Sequence, residues 1–218
     1  MINITIDGPS GAGKSTVAKS VAKRIGIMYL DTGALYRAFA YFSIKNGVDV
    51  NDENAVEMLL GAARIDVKHI GGEQRVFCDG LDVTPYIREH NISKAASDIS
   101  KHQSVRVRLS EIQRKIAGER DVVLDGRDAG TFVLPNANYK FYLTANPEVR
   151  ARRRYSELKE KGADVEYAKV LEDIKLRDYN DSNRAFAPLK QAPDARLIDS
   201  TDMSAQEVAD IILQYVNG

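Results

Sequence analysis

The sequence is poor in the residues that stabilise small secreted domains or build metal clusters. Cys78 is its only cysteine, which excludes a disulfide framework and fits a reducing compartment. Its histidines, His69, His90 and His102, are scattered without metal-ligand spacing. No apolar run approaches the roughly 18 residues of a membrane span. The opening "MINITIDGPS" has neither the basic region nor the apolar stretch of a signal peptide. Charge of one sign is also lacking, since 31 basic residues balance 31 acidic ones. That balance speaks against wholesale binding to nucleic acid or to an acidic membrane, so any phosphate chemistry must come from local clusters. There is no internal repeat, no low-complexity tract and no obvious exposed apolar stripe. The expectation is a cytoplasmic monomer with no membrane or nucleic-acid partner.

What is present is a chain of 218 residues, 44% hydrophobic, long enough to bury a sizeable core. Ile2, Ile4 and Ile6 alternate as in a strand, and Val17, Val21 and Ile25 follow at helical spacing up to Gly26. "MYLD" leads into a helix from about 34 to 45, and Asp52 is placed to cap another. From about residue 64 the texture changes to short alternating segments, "RIDVKHI", "QRVFCDG" and "LDVTPYI", separated by Gly-Gly and Asp-Gly. These predict a small antiparallel sheet. A helical pattern runs from about 89 to 117, followed by strands "DVVLD" and "YKFYLT", helices beginning near Pro147 and Val165, and a strand "ARLID". A capping box at Ser204 and Glu207 opens the last helix. Alternating strands and helices predict an α/β fold, a five-stranded parallel sheet flanked by helices. The expected core is 1–63 with 102–218, a small α+β lobe is inserted at 64–101, and a short lid lies at about 150–165.

The stretch "GPSGAGKST" has the pattern G-x-x-x-x-G-K-[ST] and lies between a strand and a helix. Gly8, Pro9, Ser10, Gly11, Ala12 and Gly13 form the loop, whose glycines would let backbone N–H groups turn inward around phosphate oxygens, and the helix start adds a favourable dipole. Lys14 would reach the β- and γ-phosphates, Ser15 would hold Mg²⁺ with water completing the shell, and Thr16 ends the loop. A nucleoside triphosphate is therefore expected. No Asn-Lys-x-Asp motif accompanies the loop, which argues against a guanine-specific switch. A small-molecule kinase needs a second anion site and arginines to neutralise charge during transfer.

Candidates for both occur. "LDTGALYRAF" places Thr32 at a helix entrance, with Tyr36 and Arg37 one turn in; by itself this could be only a capped amphipathic helix. "RDYNDSNR" supplies Arg177, Asp178, Asp181 and Arg184, with Arg177, Asp181 and Arg184 at near-helical intervals, and alone these could be surface ion pairs. "RARRRY" puts Arg150, Arg153 and Arg154 on one helix face, suited to a lid over phosphates. Finally, "VVLDGRDAGT" ends an apolar strand in Asp125, Arg127 and Asp128. Open α/β sheets bind ligands at that carboxyl edge.

With "IDGPSGAGKST", "LDTGALYRA", "AASDIS", "VRVRL", "DGRDAGT", "RRRYSEL", "IKLRDYNDSNRAFAPL" and "LIDST" in this order, the chain resembles the bacterial-type cytidylate kinases, P-loop nucleoside monophosphate kinases. The resemblance spans nearly the whole chain. It implies transfer of the γ-phosphoryl of ATP, with Mg²⁺, to CMP or dCMP. It implies that Arg37, Arg127 and Arg184 bind the acceptor's phosphate, with Thr32 and Tyr36 beside it, and that Arg177 and Asp181 hold the ribose. Ser97, Arg106 and Asp128 would read the cytosine, the 64–101 lobe would close over the acceptor, and Arg153 and Arg154 would cover ATP. Residues 199–201 would lie near the adenine. Lys14, Arg127, Arg153 and Arg184 are then the groups that carry the transition-state charge.

The chemistry is consistent with that assignment. Cytosine offers an amino donor to a carboxylate and acceptors to an arginine. Uracil would set O4 against Asp128, acceptor to acceptor, costing about 1–3 kcal/mol or more. Two rivals remain at this point: a P-loop kinase of UMP, AMP or shikimate, and a non-catalytic ATP-binding regulator.

Overall fold

The computed structural model describes residues 1–160 and 162–218, with the His90 side chain excluded; Lys161, inside the expected lid, lies outside the described residues. In chain order the elements are β1 (Asn3–Asp7), α1 (Lys14–Ile25), β2 (Met28–Asp31), α2 (Thr32–Lys45), α3 (Glu53–Ala62), β3 (Ile65–Ile70), β4 (Glu73–Cys78) and β5 (Leu81–Asp82). There follow α4 (His90–Ile99), α5 (Gln103–Glu119), β6 (Val122–Gly126), β7 (Tyr139–Thr144), α6 (Pro147–Glu160), α7 (Tyr167–Asn183), β8 (Arg196–Asp199) and α8 (Ala205–Asn217). A single π-helical turn, Ala129–Val133, follows β6. By internal contacts the chain divides into two compact units, Met1–Tyr29 with Arg120–Gly218, and Leu30–Glu119. No described helix is long and apolar enough to cross a membrane.

The five-stranded sheet has the order β2-β6-β1-β7-β8, and β1 pairs in parallel with both β6 and β7. Covered strands of a parallel sheet read as continuous apolar runs rather than alternating ones. That is why every residue of β6 is buried. In the first unit, Ile4, Ile6, Val123, Phe141 and Leu143 of the sheet pack with Val17 and Val21 of α1 and Ile212 of α8. The α1 helix stops at Gly26, whose φ of 72° is left-handed and whose N–H bonds the Ala22 carbonyl. At the start of α8 the capping box forms: Ser204 Oγ accepts from Glu207 N, and Ser204 N donates to Glu207 Oε2 at 2.8 Å.

In the second unit β3, β4 and β5 form the antiparallel sheet, with Ile70 opposite Glu73 across Gly71 and Gly72. The segment "LDVTPYI" contributes only two residues of strand. The Thr84 hydroxyl accepts from Val76 N at 2.9 Å, so a side chain takes over the ladder just before Pro85, which has no N–H to offer. The helical run expected from 89 to 117 is two helices, broken at Ser100–His102. Cys78 is buried on β4 and its thiol donates to the Ala38 carbonyl at 3.7 Å.

Candidate active site

Asp7 ends β1, and the phosphate loop follows at once. A side chain at Gly8 would place its Cβ 1.9 Å from the Leu143 carbonyl oxygen, so the loop can leave the sheet here only as glycine. Gly13, with φ 88°, turns the chain into α1. Lys14 then folds back beneath the loop: it is buried, and Nζ donates to the Pro9 carbonyl at 2.6 Å. Burial holds its pKa well below that of an ordinary lysine, and the nearby Arg127 adds to the effect against the attraction of Asp125. Ser15 Oγ donates to Asp125 Oδ2 at 2.6 Å, and Tyr29 OH to Asp125 Oδ1 at 3.0 Å. Thr16 is exposed in the first turn.

Two arginines of α6 serve this loop from within. Arg150 is buried and donates to the carbonyls of Ser10 and Ala145 at 2.9 and 2.8 Å, and to Asp178 at 2.6 Å. Asp178 in turn accepts from Ser10 N at 3.3 Å. Arg153 donates to Ser200 Oγ and to the Ser200 carbonyl at 3.2 and 2.6 Å; Ser200 Oγ donates to the Ala12 carbonyl at 3.3 Å. Arg154 pairs with Glu157 at 2.8 Å at the surface. Sequence spacing puts all three arginines on one face and cannot separate them. Arg150, expected on a face suited to a lid, is instead buried and braces the loop together with Asp178, a role the pattern alone does not show.

Beyond β6 a charged cluster is assembled. Arg127 Nε donates to Asp181 Oδ2 at 2.8 Å, and Arg184 lies 3.6 Å from Asp181 and 3.7 Å from Asp128. The side chains of Asp128, Asp181 and Arg184 are each less than 10% exposed. A surface i,i+4 role for Asp181 is therefore ruled out. Burial alone would raise the Asp181 pKa, but Arg127, Arg177 and Arg184 outweigh it and hold the carboxyl below the usual range. Burial likewise opposes the charge on Arg127, and Asp181, Asp125 and Asp178 reverse that, raising its pKa. The cluster stays charged, and any anion it binds meets guanidinium groups already oriented by carboxylates.

The second unit positions its own set. Asp31 caps α2, accepting from Ala34 N at 2.9 Å, and its other oxygen takes Arg37 at 2.7 Å. Thr32 is buried at the first helical position. Gln74 of β4 accepts from Asp31 N and donates to the Asp31 carbonyl, at 2.8 and 3.1 Å, pinning the helix entrance. Nothing in the sequence around Gln74 signals this. The Arg106 guanidinium, buried, lies 5.4 Å from the Tyr36 ring centroid and donates to the Ser100 carbonyl at 3.3 Å. Ser97 is half-buried on α4.

A parallel sheet with a glycine loop curled over a buried lysine and a helix start defines a P-loop phosphotransferase fold. Solved structures share it over the full chain: an uncharacterised protein from Eubacterium ventriosum (15% identity, TM-score 0.56, 100% of this chain and 99% of that one) and a shikimate kinase from Bacteroides thetaiotaomicron (13%, 0.51, 100% and 99%). At such identities the likeness concerns the fold alone. The cytidylate kinase family model matches residues 4–218. Curated cytidylate kinases are similar along nearly their whole length, that of Caldicellulosiruptor bescii at 49% identity (98% of this chain, 94% of the relative) and that of Bacillus subtilis at 47% (99% and 96%). The chain belongs to the cytidylate kinase family and is an ATP-dependent nucleoside monophosphate kinase.

Proposed function

We propose that this kinase moves the γ-phosphoryl group of ATP onto CMP or dCMP, giving ADP and CDP or dCDP. The observation that carries this reading is the buried cluster of Arg127, Asp128, Asp181 and Arg184 at the end of β6, in a chain whose relatives are cytidylate kinases. An acceptor phosphate oxygen attacks the γ-phosphorus in line, and the β,γ-bridging oxygen leaves with ADP. The attacking oxygen already bears charge, so no strong general base is needed. Catalysis is positioning and charge neutralisation.

Gly8 to Thr16 cradle the donor phosphates, with Lys14 carrying the developing charge together with Arg127, Arg153 and Arg184. Arg154 belongs to the lid, residues 150–165. The acceptor's phosphate is assigned to Arg37, Arg127 and Arg184, with Thr32 and Tyr36, and its ribose to Arg177 and Asp181. Ser97, Arg106 and Asp128 read cytosine. The inserted lobe, 64–101, and the lid close when both substrates are bound, which keeps water from the γ-phosphate. The Ser15 hydroxyl beside the Asp125 carboxylate is an all-oxygen donor set that suits Mg²⁺ retaining water and phosphate ligands. When bound, Mg²⁺ neutralises phosphate charge. The protein acts as a cytoplasmic monomer.

The test is ADP production with Mg·ATP and CMP, dCMP, UMP, AMP, GMP or shikimate offered separately. Turnover with CMP and dCMP at least about tenfold above the others is expected from one misplaced buried acceptor. Preference for another acceptor would withdraw the roles of Ser97, Arg106 and Asp128, and ATP binding without transfer to any acceptor would favour a regulator.

A further inference from the structure

Asp128 occupies the N-cap position of the π-turn Ala129–Val133, yet its side chain makes no cap hydrogen bond there. An Asp at such a position ordinarily uses its carboxylate on the first unpaired N–H groups of the turn. Here a residue 121 positions away does so. Asp7 Oδ1 accepts from Ala129 N at 2.8 Å and Asp7 Oδ2 from Gly130 N at 2.7 Å. Asp7 is buried, so both bonds are made away from water, where losing one is most costly. The Asp128 carboxylate points instead toward Arg184, at 3.7 Å.

Close packing reinforces the arrangement. A Cβ on Gly130 would come within 2.8 Å of Thr5 Oγ1 and 3.3 Å of Asp7 Oδ2, so β1 and the turn touch at backbone distance. The turn's own wide bonds are few: Val133 N to the Asp128 carbonyl and Leu134 N to the Ala129 carbonyl, at 3.1 and 2.7 Å. π-turns of this kind are rare and concentrate at functional sites.

We propose that Asp7 is a positioning residue for acceptor selection: by capping the π-turn from β1 it relieves Asp128 of that task and aims the Asp128 carboxylate at the acceptor's base. This rests on the reading of Asp128 as the base-selecting residue. Asp7 touches neither substrate and acts through Asp128.

The test compares kcat/KM for CMP and for UMP, with KM for ATP, in the wild type, Asp7→Asn, Asp128→Ala and the double variant, with circular dichroism and thermal unfolding of each. Asn sets an N–H₂ against one of the two backbone N–H groups. Asp7→Asn should lower the CMP-to-UMP ratio about tenfold, the loss of one buried hydrogen bond. KM for CMP should rise while KM for ATP stays within about twofold, and the double variant's ratio should be no worse than that of Asp128→Ala. A folded Asp7→Asn with an unchanged ratio, or multiplicative losses in the double variant, would overturn the inference. An Asp128→Ala variant that still discriminates would overturn the base-reading assignment and this inference with it, whereas loss of discrimination in Asp128→Ala but not in Asp7→Asn overturns the inference alone. Should Asp7→Asn fail to fold, Gly130→Ala presses on the same turn; the same selective fall in the ratio supports the inference, and an unchanged ratio overturns it.

Discussion

Asp7 is held ionised at a cost that its neighbours offset only in part. Burial raises its pKa most; the Gly130 and Ala129 N–H groups lower it, Asp128 raises it, Lys14 lowers it, and the outcome is a value of about 6 against 3.8. Tyr142 also faces it. The group binds its proton more tightly folded than unfolded, so its stabilising contribution is complete below pH 3.8 and is lost as pH rises through about 6. That difference amounts to on the order of 3 kcal/mol. Asp7→Asn has no such titration. Its stability relative to wild type should therefore improve by about that amount between pH 4 and pH 8, as read from urea unfolding of both proteins without nucleotide. A stability gap that does not change with pH would contradict the burial of an ionised carboxylate here.

Elements differ in how far the sequence reveals them. The phosphate loop, the capping box at Ser204 and Glu207 and the Asp52 cap of α3 are local patterns with local causes, and each forms. The π-turn has no local signature, because its capping group is supplied by Asp7 on another strand. The short third strand was hidden for a similar reason: the Thr84 hydroxyl ends the ladder, which alternation in "LDVTPYI" cannot show. On α6, spacing places Arg150, Arg153 and Arg154 together, but only packing turns Arg150 inward to Ser10 and Asp178 and leaves Arg154 at the surface. Arg150→Ala should strand the Asp178 carboxylate and cost about 3–5 kcal/mol in urea unfolding. Arg150→Lys, which keeps the charge but loses the fork, should raise KM for ATP more than KM for CMP. A Lys variant that affects both equally would mean the bracing is not specific to the phosphate loop.

At the scale of the whole molecule, a net charge of zero supplies no general positive field, so holding two polyanionic substrates would fall to local clusters. The first unit holds one such cluster around Lys14, Arg127, Asp181 and Arg184, all largely withdrawn from water. The second unit holds the Asp31–Arg37 pair and the Arg106–Tyr36 contact. Composition says nothing of where the arginines collect. A phosphoryl group passed between two such substrates must be protected from water, and a kinase built this way should consume ATP far more slowly alone than with its acceptor. The most direct measurement is the fate of a label placed in the γ-phosphoryl group of ATP, followed with and without CMP. The account predicts label in CDP when CMP is present and almost none released as inorganic phosphate when it is absent. Label that passes to inorganic phosphate at the same rate in both cases would contradict it.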